Sequence, residues 1–177
     1  TIQNLGVAGS FEITSNNRVS CFGSIAGENQ KNGVITDCFS SCDVSLTNLD
    51  DNSVIVGGIV GQNMGMLENS YAVGDVTATA TATATASSTY SYAGGIAGYN
   101  YNTNLNCYAA GNVTADSDDD NYELAGGIAG KCRPDTNNVD GKGNITNCFA
   151  LNEKITAAKA GRITGATEQR FNNYASP

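Results

Sequence analysis

One pentapeptide, Gly-Gly-Ile-x-Gly, constrains this chain more than any other feature, because it returns at a nearly fixed spacing. It stands complete at Gly57–Gly61, Gly94–Gly98 and Gly126–Gly130, and in altered form at Gly23–Gly27 and Gly161–Gly165. The isoleucines Ile25, Ile59, Ile96, Ile128 and Ile163 lie 34, 37, 32 and 35 residues apart. Each core is followed by a polar residue, a small residue, an aromatic and another small residue. These are Asp37-Cys38-Phe39-Ser40, Asn69-Ser70-Tyr71-Ala72, Asn106-Cys107-Tyr108-Ala109, Asn147-Cys148-Phe149-Ala150 and Asn172-Asn173-Tyr174-Ala175. Self-similarity at this period marks stacked supersecondary units.

Within a unit the pattern alternates with period 2, as in half-buried strands. Ile55, Gly57 and Ile59 are expected on one face of a strand. After the turn, Ser70, Ala72, Gly74 and Val76 share an inward face, matched by Cys107, Ala109, Gly111 and Val113. Tyr71, Val73, Asp75 and Thr77 point the other way. Asp37, Asn69, Asn106 and Asn147 suit a bend, where such side chains satisfy nearby backbone groups. A unit of about 30 residues with two or three short strands cannot bury its own apolar face, but stacked copies can. The expected fold is all-β, a right-handed parallel β-helix (β-solenoid) of four to five rungs. A propeller is the alternative, disfavoured because its blades need four strands each. Ile25, Ile59, Ile96, Ile128, Ile163, Val76 and Val113 are the expected core. The chain reads as one repeat domain over 1–177. Partial rungs at 1–18 and 161–177 flank repeats at 19–53, 54–91, 92–123 and 124–160. The offsets align Ile2 with Ile35, Leu5 with Cys38, and Cys21 with Ile55, Tyr92 and Leu124. Asn152–Gly165 has no helical period and is expected to connect strands.

Composition narrows the functional classes. With 21 glycines and two prolines, backbone donors are available for sheet pairing almost everywhere. The net charge of −8, without a run of basic residues, argues against nucleic acid and anionic membranes as partners. No apolar stretch is long enough to span a bilayer. The chain starts at Thr1 and reads as a fragment or a processed chain. Of the six cysteines, Cys38, Cys107 and Cys148 share one repeat position where the second unit has Ser70. That favours small buried thiols, although Cys107 and Cys148 on adjacent rungs would be near enough to bridge. With no His and no C-x-x-C pair, neither a metal site nor a cofactor is expected.

These residues resemble the GLUG-motif repeats of bacterial surface and secreted proteins. The likeness lies in Gly-Gly-Ile-x-Gly, a turn, then Asn-Cys-Tyr-Ala-x-Gly-x-Val. It is strongest over 56–76, 92–113 and 124–150. It implies a non-catalytic repeat region of a secreted or cell-surface bacterial protein, acting in adhesion or as a structural stalk, with no catalytic residues to carry over. The first unit departs from the pattern at Ser24, Ser41 and Cys42, and the third has Leu105 one position late. The fourth ends in Asn152-Glu153-Lys154-Ile155.

The candidate binding residues form one repeat column, Phe39, Tyr71, Tyr108, Phe149 and Tyr174. Outward-facing rings would stack sugars or grip a partner; covered by a loop, they would be a packing device. The partner class implied is a host or neighbouring-cell surface protein or glycan, and open strand edges favour end-to-end self-association. Asp116, Asp118, Asp119 and Asp120 offer oxygens, but Asn121 and Gly127 break the EF-hand pattern. The threonines of Thr77–Thr85 run along one segment and read as an exposed strand or hairpin arm. Asn112-Val113-Thr114 and Asn144-Ile145-Thr146 match the glycosylation sequon but belong to the repeat. The alternative function is a carbohydrate-active or carbohydrate-binding β-helix, its acids drawn from Glu12, Glu28, Glu68 or the loop aspartates.

Overall fold

The computed structural model describes residues 1–15, 21–49, 52–81, 89–118, 122–133 and 143–166, and the backbone of the strands Arg170–Phe171 and Tyr174–Ala175. The second rung shows the plan. Val54–Gly57 lies in wall 1, Val60–Asn63 in wall 2 and Met66–Glu68 in wall 3. Tyr71–Ala72 and Val76–Ala80 both lie in wall 4. Among the described residues the walls hold five, four, six and nine strands respectively. Strands pair in parallel with their copies one rung up or down, Ser91–Gly94 between Val54–Gly57 and Glu123–Gly126 for example. The chain is a parallel β-solenoid. A rung holds four or five short strands, more than the two or three expected. Strand number therefore does not separate a solenoid from a propeller; parallel pairing between units does.

The register is the repeat offset. Ile2 faces Ile35, and Cys21, Ile55, Tyr92 and Leu124 line up across wall 1. Inside, one cluster holds Ile59, Ile96, Ile128 and Ile163 with Ile35, Leu67 and Ile145, and Ile25 packs against it only partly buried. A second holds Val54, Val56, Val44, Val76 and Val113 with the alanines Ala78, Ala93, Ala115 and Ala125.

Corners carry most of the specificity. At the corner of walls 1 and 2 the carbonyls of Ile59, Ile96, Ile128 and Ile163 each accept two N–H groups from the rung before. Ile59 N–H and Val60 N–H both donate to Ile96 O (3.0 and 3.1 Å), and Ile96 and Ala97 repeat this onto Ile128 O. The backbone ladder thus turns the corner without leaving donors idle. This bend corrects one expectation: Ile55 and Ile59 do not share a face. The chain turns at Gly57-Gly58, so Ile59 enters the core while Ile55 joins Tyr92 and Leu124 in a separate outer cluster. The walls close tightly here, since a Cβ on Gly98 would come within 2.7 Å of the Val56 backbone nitrogen.

At the corner of walls 3 and 4, Asp37, Asn69, Asn106 and Asn147 all adopt left-handed backbone, with φ of 54, 50, 52 and 51°. Asn and Asp tolerate that region better than other side-chain-bearing residues. The next residue is a small buried donor. Cys38, Ser70, Cys107 and Cys148 each donate to the carbonyl two positions back, on Thr36, Glu68, Leu105 and Thr146. Ser replaces Cys because either supplies one donor in a similar volume, and all six cysteines are thiols. Burial lifts the Cys107 thiol well above its ordinary pKa, and neighbouring Cys148 adds to the effect.

The departures from the repeat have local consequences. Where later rungs bend at Gly74 and Gly111, the first has Cys42, and its strand runs unbroken over Phe39–Asn48. In the fourth rung Asn152 takes the glycine position and donates to Gly111 O at 2.5 Å, while Ile155 keeps register with Val113. Late Leu105 leaves Asn104 at the inward position between Leu67 and Ile145.

Candidate functional site

Parallel register fixes the first aromatic array. Phe39, Tyr71, Tyr108 and Phe149 pair in sequence across wall 4, so their side chains leave the same face one rung apart. The Phe39 and Tyr71 rings stack at 5.4 Å and 13°, and Tyr71 and Tyr108 at 4.7 Å and 5°. Phe39, Tyr108 and Phe149 are 41, 36 and 44% exposed, and Tyr71 between them is half-buried. Tyr174 continues the backbone register beside Phe149; its side chain lies outside the described residues. Beside the rings runs the left-handed corner, where Asn106 donates to Asn69 at 3.0 Å and Asn147 to Asn106 at 3.4 Å. Asn106, Tyr108, Asn147 and Phe149 line a shallow groove of ≈ 240 Å³. Burial against its neighbours, and then Tyr71, raise the Tyr108 pKa.

Sequence reasoning missed the second array. Tyr90, on the segment leading into the third rung, and Tyr92, Tyr99 and Tyr101 within it meet in the angle outside walls 1 and 2. Tyr90 stacks on Tyr92 at 4.6 Å, Tyr92 meets Tyr99 edge-on at 5.8 Å, and Tyr99 stacks on Tyr101 at 4.0 Å. The next rung adds cations. Lys131 Nζ lies 4.9 Å from the Tyr92 ring centroid and 5.3 Å from that of Tyr99, and donates to the Tyr92 hydroxyl at 3.1 Å. The Arg133 guanidinium is 5.9 Å from the Tyr101 ring. Tyr92 is buried, while Tyr90, Tyr99, Tyr101, Lys131 and Arg133 are half-buried. Burial raises the pKa of Tyr92, Tyr99 and Tyr101 and lowers that of Lys131. Cys21, heading the same column as Tyr92, is pushed up to about 11 by burial and then by Glu28. The available signal was four tyrosines in twelve residues, on both sides of one Gly-Gly turn.

Two polar columns also escaped the sequence reading. Asn29, Asn63 and Asn100 form a buried ladder at the end of wall 2, in which Asn29 donates to Asn63 (2.8 Å) and Asn63 to Asn100 (3.1 Å). Their signal was an asparagine four residues after Ile25, Ile59 and Ile96, a position that Cys132 takes after Ile128. On the outside of wall 4, Asp43 accepts Asp75 N–H at 2.9 Å and Asp75 accepts Asn112 N–H at 2.7 Å. Both carboxylates thus tie rungs together. With Glu12 they line a shallow depression of ≈ 210 Å³. Glu28 lies on wall 2 and Glu68 on wall 3, away from that depression.

Asp116 pairs with Thr79 and is exposed, as is Asp118; Asp119, Asp120 and Asn121 lie outside the described residues. Among the described residues no three His, Cys, Asp or Glu side chains are grouped to hold a metal ion. Thr77 and Thr79 lie on the strand Val76–Ala80, and 82–88 are outside the described residues. Among the described residues no helix is long and apolar enough to cross a membrane.

Residues 52–77, the second rung from its first wall into its fourth, match the family model described as the GLUG motif. No curated protein matches the chain.

Proposed function

We propose that this GLUG-motif solenoid is a non-catalytic repeat module of a bacterial cell-surface or secreted protein, acting in adhesion or as a structural stalk. The observation that carries the reading is the ring ladder on wall 4: three rings from successive rungs stacked, the outer two of them open to solvent. Aromatic faces so presented offer a large apolar area at little conformational cost, which suits them to sugar rings or to a partner's surface. The carbohydrate-active alternative would draw on Glu12, Asp43 and Asp75, but the two aspartates are occupied with backbone N–H groups of the following rung.

The test is a glycan and cell-surface binding screen of the wild-type chain beside a Tyr71→Ala/Tyr108→Ala variant, with circular dichroism on both. Adhesion through the ladder predicts binding that the folded variant loses. Binding retained by the variant would remove the ladder from the adhesive role. Absence of binding by either protein would leave the stalk.

A further inference from the structure

In a protein with 17 acidic and nine basic residues, the tyrosine angle holds two cations that meet no carboxylate among the described residues. The oxygen that accepts from the Lys131 ammonium there is the neutral Tyr92 hydroxyl, and Arg133 faces the Tyr101 ring. We propose that the outer angle of walls 1 and 2 at the third and fourth rungs, built from Tyr99, Tyr101, Lys131 and Arg133, is a binding site for an acidic saccharide, a sugar chain bearing carboxylate or sulfate groups.

Three observations carry this. The first is where the residues fall. At the positions of Tyr90, Tyr92, Tyr99 and Tyr101 the second rung has Ser53, Ile55, Gln62 and Met64, and the fourth has Tyr122, Leu124, Lys131 and Arg133. A stack whose other columns repeat breaks its repetition here at adjoining positions, and the new side chains converge. The second is charge. A half-buried ammonium has lost part of its hydration, and an anion that binds it restores the interaction with a charge-assisted hydrogen bond; burial already depresses the Lys131 pKa. The guanidinium next to it offers a planar fork suited to carboxylate or sulfate oxygens. The third is the rings: Tyr99 and Tyr101 are half-buried, so their solvent-facing edges and hydroxyls remain to meet the polar edge of a sugar. A peptide strand is less suited. It binds sheets through an open edge, and the third-rung strands Ser91–Gly94 and Ala97–Asn100 are already paired on both sides.

The site is independent of the role of the wall 4 ladder, and the experiment keeps the two apart. Calorimetric titration of the wild-type chain uses an oligogalacturonate, a chondroitin sulfate oligosaccharide and neutral maltohexaose, with poly-glutamate as a peptide control. The expected result is that at least one acidic sugar binds and maltohexaose binds at least tenfold more weakly. Lys131→Gln/Arg133→Gln and, separately, Tyr101→Ala each lose tenfold or more, while Lys31→Gln, an exposed cation away from the angle, changes nothing. The carboxylated and sulfated probes then tell which anion is preferred. Failure of both acidic sugars to bind at millimolar concentration overturns the proposal. So does binding that survives Lys131→Gln/Arg133→Gln, binding lost only in the ladder variant, or poly-glutamate binding as tightly as the sugars.

Discussion

The two aromatic arrays are made from the same residue types and have opposite origins. The wall 4 ladder arises from repetition: one ring per rung, at one register position, stacked because parallel pairing superimposes equivalent side chains. The tyrosine angle arises from departure: Tyr90 and three rings of the third rung meet where the second rung carries Ser53, Ile55, Gln62 and Met64 and the fourth keeps a ring only at Tyr122. The ladder is open to solvent, and removing a ring from it leaves the core untouched. The angle is half-buried, its central ring is buried, and it shares strands with the core. Repetition in a solenoid builds extended, uniform faces; local breaks in repetition build compact and individual sites.

Four measurements put this contrast at risk. The largest effect belongs to what the arrays share. Ile96 is fully buried between Ile59 and Ile128, so Ile96→Asp places an unpaired charge in the stack, and the cooperative thermal transition should be lost. A variant that kept the wild-type melting temperature would refute the inward isoleucine column. Next, Tyr92→Ala should cost about 3 kcal/mol by urea denaturation, as a buried aromatic truncation. Tyr108→Ala should cost less than about 1 kcal/mol, since a cross-strand aromatic contact on an open face is worth no more. Equal costs would dissolve the distinction.

The third test is alkaline titration. Tyr92 and Tyr101 have raised pKa values in the folded chain, chiefly through burial. The stability they contribute is complete below the unfolded tyrosine pKa of about 10 and drains as pH rises through their folded values. Lys131 runs the other way: its lowered pKa means protonation opposes folding, and that cost is relieved as pH rises toward the ordinary lysine value. Tyrosinate absorbance should therefore rise in two stages, with Tyr92→Phe and Tyr101→Phe each removing part of the later one. A single stage at the unfolded value would show the angle to be open to water. The fourth measurement reads a single side chain, Cys21. With its thiol pushed up to about 11, alkylation by iodoacetamide at pH 8 should be on the order of a hundredfold slower than in the denatured chain, measured by mass spectrometry. Equal rates would place Cys21 outside the enclosed column.

The pairing register was legible in the sequence because in a solenoid it equals the repeat offset: the spacing that aligns Cys21 with Ile55, Tyr92 and Leu124 is the spacing that pairs their strands. The left-handed corners were legible too, since Asn and Asp recur where few other residues tolerate positive φ. What failed was parity across a bend. Alternation holds along a straight strand, but Gly57-Gly58 resets it, so Ile55 was placed on the wrong side of the sheet and Tyr92 with it. The tyrosine angle and the asparagine ladder were hidden for a related reason. Both are formed by side chains from different walls or rungs, and nothing in a one-dimensional pattern says that two walls meet at a closed angle.

The isoleucine corner, where one carbonyl holds two N–H groups of the adjacent rung, has a mechanical meaning. The covalent chain circles the axis, while the bonds between rungs run along it. Tension applied to the two ends of the stack therefore falls first on the hydrogen bonds of the terminal rung, which break in succession while the next rung stays closed. Each rung released would free roughly 120 Å of extended chain, at up to about 3.5 Å per residue over a 34-residue spacing. A stack pulled this way yields in steps, each rung giving up roughly 120 Å of chain in place of about 4.8 Å of height, and absorbs a sudden pull as a brake does.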